Sequence, residues 1–259
     1  MTSLHQDRLE HESSTGARPI GANTEEAASS GVQQMFDSIA PRYDLLNHLL
    51  SVGLDRSWWA RAAQSFHDVL GRPDAVVLDL CCGTGDMTLT LMRNRPTGIG
   101  EAPVLAVDFS HRMLARGTEK FMGHNIVAIE ADALQLPLPS GSLDLVTSAF
   151  GFRNLANYAD GLAELYRVLR PGGQIGILEC NQPEGFTGAL YNLYFKKVLP
   201  RIGRIISGDG RAYSYLPASV ERFPRPPRML KLILEAGFAE ASWTGYTFGT
   251  AGLYRAIKK

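Results

Sequence analysis

A loop bracketed by two glycines, Gly83-Thr84-Gly85, lies between an apolar run and a helical pattern in the stretch VLDLCCGTGD. Turns of this kind bind nucleotides in α/β proteins. The dinucleotide fingerprint G-x-G-x-x-G/A is not met, because Thr88 occupies its last position. The P-loop pattern is not met either, because no Gly-Lys-Ser/Thr follows. Asp86 stands at the N-terminus of the predicted helix, where a carboxylate repels phosphate and attracts a cation. The loop therefore predicts a positively charged nucleoside ligand without phosphates.

Two acids at the ends of the next predicted strands fit such a ligand. Asp108 ends the second strand in VLAVDFS, and a carboxylate there can accept both hydroxyls of a ribose. Asp132 ends the third strand beside Ala133, where it can accept from an adenine amine. S-adenosylmethionine carries a sulfonium, an ammonium and two free ribose hydroxyls, and we predict it as the cofactor. Each feature also has a plainer interpretation: a tight turn for the glycines, a turn start for Asp108 and a first-turn helix acid for Asp86.

Strand-like and helix-like segments alternate along the chain and position these loops. The predicted strands run over residues 75–80, 104–107, 126–130, 143–149, 174–179, 241–248 and 252–257. The predicted helices include residues 86–94, a segment capped by Ser110, 160–170 and 228–235, with a turn at Pro171-Gly172-Gly173. Such alternation predicts βαβ units, a parallel sheet and an α/β fold.

The two ends of this alternating region differ from it in composition. Residues 1–30 are polar and predict a disordered tail, not a signal peptide. Residues 31–259 are expected to form a single domain. Within it, residues 31–70 are a helical lead-in broken at Pro41, with Asp55 as an expected N-cap. Residues 183–227 are a helical insertion with aromatic and basic residues.

The overall composition narrows the class of protein. The formal net charge is zero, which argues against a nucleic-acid binder with its basic excess. Cys81, Cys82 and Cys180 have no C-x-x-C spacing, so neither a zinc site nor a disulfide framework is indicated, and a reduced cytoplasm is expected. No apolar run reaches the ~18 residues of a membrane span.

Further segments of the chain carry a resemblance to a known family. VLDLCCGTGD, AVDFS, EADALQLPLPSGSLDLV and YRVLRPGG are similar to class I S-adenosylmethionine-dependent methyltransferases in general. MFDSIAPRYDLLNHLLSVGLDRSWW, AFGFRN and YSYLPASVERFP resemble more narrowly the menaquinone/ubiquinone biosynthesis C-methyltransferase family (UbiE/MenG). The resemblance runs from about Val32 to the C-terminus. It implies a Rossmann-like, mostly parallel seven-stranded sheet with an N-terminal helical lid.

The resemblance also implies which residues bind the cofactor. The positions that match are Thr84, Asp108, Asp132 and Ala133, with Asp79, Gly83 and Gly85 matching the wider class motif. The chain departs from the family pattern at three places. Cys82 stands where glycine is frequent, ECNQP at 179–183 replaces the more usual Glu-Phe-Ser-x-Pro, and Ala149 replaces a serine that contacts the cofactor in some relatives.

The implied reaction is methylation of demethylmenaquinol, a reduced polyprenyl quinone, on a ring carbon to give menaquinol. Such chemistry needs alignment, a dry pocket and a group that stabilises or accepts the phenol proton, and no metal. We hypothesise that Arg153 in GFRN is catalytic and stabilises a phenolate oxygen; the alternative is that it only anchors its loop. Tyr43, Asp44 and His48 could complete the lid, although His48 among leucines is also typical of a packed core residue.

Several alternatives stay open at this point. The acceptor could be the benzoquinol of the ubiquinone pathway or another small molecule, or the chain could be a cofactor-binding regulator without catalysis. Residues 186–207 form a basic amphipathic segment that could contact an anionic membrane at the inner face of the cell, or pack on the sheet with solvated basic residues. The sequence leaves a homodimer open, and it argues against a nucleic-acid methyltransferase.

Overall fold

A computed structural model describes residues 16–19, 21–43, 51, 53–96, 102–183 and 210–259. Most of the predicted polar tail, the proposed lid residues Asp44 and His48, and the basic segment 186–207 lie outside the described residues.

A seven-stranded sheet in the order β3-β2-β1-β4-β5-β7-β6 forms the centre of the molecule. Neighbours among β1 to β5 pair in parallel, while β7 pairs antiparallel with both β5 and β6. The strands are β1 Val77–Leu80, β2 Val104–Asp108, β3 Ile126–Glu130, β4 Leu143–Ala149, β5 Leu169–Cys180, β6 Phe238–Tyr246 and β7 Ala251–Lys258. The predicted α/β fold with a mostly parallel sheet is confirmed.

Helices cover both faces of this sheet. They are α1 Glu25–Ile39, α2 Asp55–Gln64, α3 His67–Leu70, α4 Asp86–Arg93, α5 His111–Phe121, α6 Tyr158–Val168, α7 Gly210–Arg222 and α8 Pro226–Glu235, with short 3-10 turns at Ala40–Arg42, Phe152–Asn154 and Thr247–Gly249. The central strands β1 and β4 are buried along nearly their whole length because both of their faces are covered. One core cluster joins α6 and α8 to the sheet, and a second joins α2 and α4 to it.

The N-terminal helix begins earlier than the sequence pattern indicated. Thr24 caps α1 through its hydroxyl, which accepts from the Ala27 N–H at 3.1 Å, so the helix includes residues 25–30 of the predicted tail. Ala28 and Val32 are fully buried, and this packing outweighs the polar composition of the segment. The boundary at Gly31 was therefore wrong.

Two further local predictions are corrected. Asp55 is the first residue of α2 and not its cap, because Leu54 holds the N-cap position; its carboxylate accepts from the Arg56 N–H. The turn at Pro171-Gly172-Gly173 lies inside β5, whose pairing jumps there in register against β4. Gly172, at φ 80°, lets the strand bulge and continue. The capping role of Ser110 is confirmed, because its hydroxyl accepts from the Met113 N–H at 3.2 Å.

Candidate active site

The loops after the first four strands converge on one crevice. The chain leaves β1 toward β2 on one side and reaches β4 on the other, and such a switch point opens a crevice at the carboxyl ends of the strands. A cleft of about 640 Å³, its open mouth included, lies there. Ligands of open α/β sheets bind in such a crevice. The cleft is therefore the candidate site.

The glycine loop reaches this cleft through a left-handed backbone. Gly83 (φ 56°) and Gly85 (φ 83°) both occupy the region that favours glycine. A side chain at Gly85 would lie 2.2 Å from the Phe121 ring of α5, so glycine is also required there for packing. Gly83 lines the cleft, whereas Thr84 and Gly85 are not among the residues that line it. Contacts of Thr84 and Gly85 with the cofactor stay predictions.

Asp108 lines the cleft and is held by two hydrogen bonds from backbone N–H groups. Its Oδ2 accepts from the Gly83 N–H at 2.8 Å and its Oδ1 from the Ser110 N–H at 2.9 Å. Each oxygen keeps a lone pair with which to accept from a ribose hydroxyl. Burial raises the pKa of Asp108 to about 6, although the backbone N–H groups of Ser110 and Gly83 act in the opposite direction.

The two residues predicted to contact the adenine follow the third strand. Asp132 and Ala133 both line the cleft, and the Asp132 Oδ1 accepts from the Leu134 N–H at 2.9 Å. This hydrogen bond fixes the Asp132 carboxylate at the start of a turn. The Leu134 N–H donates only to Oδ1, so Oδ2 can accept from a ligand. The structure thus brings Gly83, Asp108, Asp132 and Ala133 together at one edge of the sheet.

The charge of the cleft agrees with a cationic nucleoside. Among the described residues that line it, the charged side chains are Asp108 and Asp132, and neither a lysine nor an arginine is present. A phosphate group would meet two carboxylates there, whereas a sulfonium or ammonium group would be attracted. The residues present therefore fit S-adenosylmethionine better than a nucleotide.

Two other aspartates of the glycine-loop region face away from the cleft. Asp79 is fully buried and accepts from the Thr88 hydroxyl at 2.7 Å and the Thr147 hydroxyl at 3.1 Å, so it ties β1 to α4 and β4. Burial raises its pKa to about 7, against those two hydrogen bonds. The Asp86 carboxylate lies 3.1 Å from the Lys120 ammonium. The negative charge of Asp86 is therefore balanced by Lys120 of the neighbouring helix α5. The expectation that Asp86 attracts the ligand is not supported.

The guanidinium of Arg153 is buried and lies outside the lining of the cleft. Its Nη1 lies 2.8 Å from the Glu179 Oε2 and also donates to the Phe150 carbonyl, and its backbone N–H donates to the Glu179 Oε1 at 3.0 Å. Burial lowers the pKa of Arg153, but the Glu179 carboxylate outweighs this effect and the pKa is raised. Arg153 is not among the residues that line the cleft. This geometry matches the loop-anchoring alternative, and a direct catalytic role stays a hypothesis.

The loop that Arg153 anchors supplies part of the cleft wall. Phe150, Gly151 and Asn154 line the cleft. The Asn154 Oδ1 accepts from the Tyr215 hydroxyl of α7 at 3.1 Å, and burial raises the pKa of Tyr215 to about 12. Sequence reasoning missed the contribution of Tyr215, because 61 residues separate the two partners.

Helix α1 and Tyr43, which follows it in the chain, cover the cleft from the other side. Ser29, Phe36 and Tyr43 line it. The Gln33 Nε2 donates to the Phe109 carbonyl at 2.6 Å, and the Ser110 hydroxyl donates to the Asp37 Oδ1 at 2.6 Å. The predicted contribution of Tyr43 to a lid agrees with its position in the wall of the cleft.

The strap Ala17-Arg18 continues this cover across the opposite edge. The Ala17 N–H donates to the Leu155 carbonyl at 2.7 Å, and Arg18 donates to the Ala156 carbonyl at 2.8 Å. Leu155 and Ala156 both line the cleft. The cover formed by residues 16–43 is therefore bonded to both sides of the crevice.

The cysteines near the cleft are not activated. Burial raises the pKa of the Cys81 and Cys82 thiols well above their usual value and that of Cys180 to about 12. Thiols in this environment stay protonated at neutral pH, so they act as small apolar groups and not as nucleophiles.

The described parts of the chain contain neither a cluster of potential metal ligands nor a membrane-spanning helix. Among those residues, His, Cys, Asp and Glu side chains do not gather in groups of three or more that could hold a metal ion. The helices described there are each too short or too polar to cross a bilayer.

Comparison with known proteins identifies relatives of the chain. A profile of the ubiE/COQ5 methyltransferase family matches residues 23–258. A demethylmenaquinone methyltransferase from Deinococcus radiodurans is 43% identical over 93% of this chain and 97% of its own length. One from Thermus thermophilus is 46% identical over 85% and 98%. A SAM-dependent methyltransferase structure from Thermotoga maritima covers 88% of this chain and 100% of its own with a TM-score of 0.62 at 18% identity, which shows the shared fold.

Proposed function

The chain belongs to the ubiE/COQ5 methyltransferase family, and from this premise we propose that it methylates a ring carbon of demethylmenaquinol, using S-adenosylmethionine, to give menaquinol. The cofactor assignment is carried by the acidic cleft at the switch point of the sheet, which Asp108 and Asp132 line. The acceptor assignment is supported by the name that both relatives bear, since each aligns over nearly its whole length.

The cofactor, when bound, supplies an electrophilic methyl group on a sulfonium. In this proposal the Asp108 carboxylate accepts the ribose hydroxyls, and the hydrogen bonds that it accepts from the Gly83 and Ser110 N–H groups support that role because they fix its orientation. Asp132 and Ala133 border the part of the cleft assigned to the adenine. Gly83, whose positive φ favours glycine, has no side chain, so a ligand can approach this wall of the cleft closely.

The acceptor supplies the nucleophile. A hydroquinone that loses a hydroxyl proton gains electron density at its ring carbon, so the protein needs to align the ring and exclude water. Apolar side chains from the cover and from the loop after β4, namely Phe36, Phe150 and Leu155, line the cleft and can do both. In this proposal Arg153 is a positioning residue: it holds the loop that presents Asn154 to the cleft.

A benzoquinol of the ubiquinone pathway is the second candidate acceptor. The same cleft would align its ring, and the family that the chain resembles covers both quinone classes. Because the polyprenyl tail of either acceptor is a bilayer component, we also propose that the protein works at the inner surface of the cell membrane.

Methyl transfer from labelled S-adenosylmethionine to two chemically reduced acceptors tests this function. Product on the demethylmenaquinol ring alone would support the main proposal, and product on both acceptors would make the enzyme one of dual specificity. Transfer to the benzoquinol alone would replace the proposal with its alternative. Transfer to neither, with the cofactor still bound, would refute the quinol assignment while leaving the cofactor site intact.

A further inference from the structure

The turn between β6 and β7 holds an exposed aromatic side chain in an unfavourable backbone conformation. Thr247, Phe248 and Gly249 have φ angles of 44°, 56° and 83°, so three consecutive residues are left-handed. Residues other than glycine rarely adopt this region, and a bulky side chain there is a true outlier. Phe248 is nevertheless 84% exposed, more than any other large apolar residue in the described part of the chain. The strained backbone is not compensated by burial of the ring. This combination indicates that the exposed ring has a function.

This turn lies at the edge of the sheet where the cleft opens. Ala251, the first residue of β7, pairs with Cys180 at the carboxyl end of β5. The Trp58 Nε1 donates to the Thr247 hydroxyl at 2.9 Å. The Trp58 ring also lies 5.9 Å, centroid to centroid, from the Phe150 ring in the cleft wall. Aromatic side chains thus connect the interior of the site with the exposed turn.

The surroundings of the turn combine apolar and cationic groups. Leu54, 40% exposed, lies one helical turn before Trp58 and its backbone carbonyl accepts from the Trp58 N–H. The exposed Arg61 places its guanidinium carbon 4.1 Å from the centroid of the Tyr246 ring, next to the turn. Leu54, Trp58 and Arg61 share one face of α2 because they are spaced at helical intervals, and we name Leu54, Arg61 and Phe248 the Phe248 tip.

We propose that the Phe248 tip inserts into the headgroup region of an anionic lipid bilayer and places the mouth of the cleft against that bilayer. Exposed apolar side chains beside a cationic group such as Arg61 are typical of interfacial contacts with anionic membranes. A prenylated acceptor would then reach the cleft without its tail crossing water. This inference rests on the proposed function for its purpose, but binding to lipid can be measured without any methyl transfer.

The test compares two asparagine variants in a flotation experiment. Phe248→Asn removes the ring and places at this position a residue that tolerates the left-handed conformation. Met122→Asn is the matched control: Met122 is 79% exposed, but it follows α5 and precedes β3, at the opposite edge of the sheet. The probes are vesicles of phosphatidylcholine, with and without phosphatidylglycerol. We expect the wild-type chain and Met122→Asn to float with the anionic vesicles, and Phe248→Asn to partition about tenfold more weakly.

Three further measurements make the outcome decisive. Thermal unfolding of Phe248→Asn should occur no lower than that of the wild type, which separates lost contact from misfolding. Its methyl transfer to a water-soluble short-tailed acceptor should be unchanged, while transfer to a long-tailed acceptor in vesicles should fall. Sedimentation reports the oligomeric state: a dimer that Phe248→Asn dissolves, with no change in flotation, would make the tip a contact between copies and overturn the proposal.

Two results of the flotation itself would also overturn it. These are equal flotation of Phe248→Asn and the wild type, or no flotation of the wild type with anionic vesicles. Absence of methyl transfer to either quinol by a wild-type chain that floats would refute the proposed function and leave the tip standing.

Discussion

At the scale of single residues, the cofactor assignment depends most on Asp108. Replacing it with asparagine removes the charge and turns an –NH₂ group toward either the Gly83 or the Ser110 N–H, which both donate to the carboxylate. Hydrogen bonds to charged groups are worth about 1.5–3 kcal/mol, so we expect Asp108→Asn to bind S-adenosylmethionine about ten- to a hundredfold more weakly in calorimetry. Asp86→Asn is the control, because Asp86 pairs with Lys120 outside the cleft. Equal affinity of Asp108→Asn and the wild type would contradict the assignment.

The same residue makes cofactor affinity depend on pH. Burial raises the pKa of Asp108 from 3.8 to about 6, and the anion is the form that attracts the cationic cofactor. Affinity should therefore be constant above this value and fall by about tenfold per unit as pH decreases below it. Titrations between about pH 5 and 8 would check this. Asp79→Asn, which removes the other buried carboxyl with a raised pKa, should keep the dependence, and a wild-type affinity that is flat across this range would count against Asp108.

At the scale of elements, the loop after β4 depends on one buried ion pair. Glu179 is fully buried in β5 and binds both the guanidinium and the backbone N–H of Arg153. Glu179→Gln leaves that cation unpaired, so we expect a loss of about 3–5 kcal/mol in the free energy of unfolding and a lower kcat, because the loop carrying Asn154 loosens. Urea unfolding and steady-state kinetics would measure both effects.

An exposed ion pair provides the comparison for that variant. Glu235 is half exposed and lies 3.7 Å from Lys231 on α8. Glu235→Gln should change stability by less than about 1 kcal/mol. If both variants lost similar stability, the effect would follow from removing a carboxylate in general and not from the buried position of Glu179.

The sequence predicted elements and sheet class well because both follow from local pattern. The apolar run that ends at Leu80 indicates a strand without reference to the strands that pair with it. The Ser110 cap is equally local, because it acts within one helical turn. Contacts between segments that are distant in the chain have no comparable pattern in the sequence. The bond from Arg18 to Ala156 spans 138 residues, and the glycine-rich turn at Gly172 continued as a strand because β4 offered it pairing partners. The strand-end residues Asp108 and Asp132 and the lid residue Tyr43 that line the cleft could therefore be predicted, whereas the contacts of Tyr215 and of Arg18 could not.

At the scale of the whole molecule, residues 16–43 join the two sides of the crevice, and this arrangement predicts a ligand response that is not uniform. Ser29, Phe36 and Tyr43 line the cleft, so bound cofactor would stabilise the cover formed by these residues. We expect S-adenosylmethionine to slow amide hydrogen exchange in α1, which the Gln33 and Asp37 side chains already tie to the loop after β2. Helix α8 packs on β6 at the far edge of the sheet and serves as the internal control. Equal slowing in α1 and α8 would indicate global stabilisation, and no slowing in α1 would mean that the cover does not respond to the ligand.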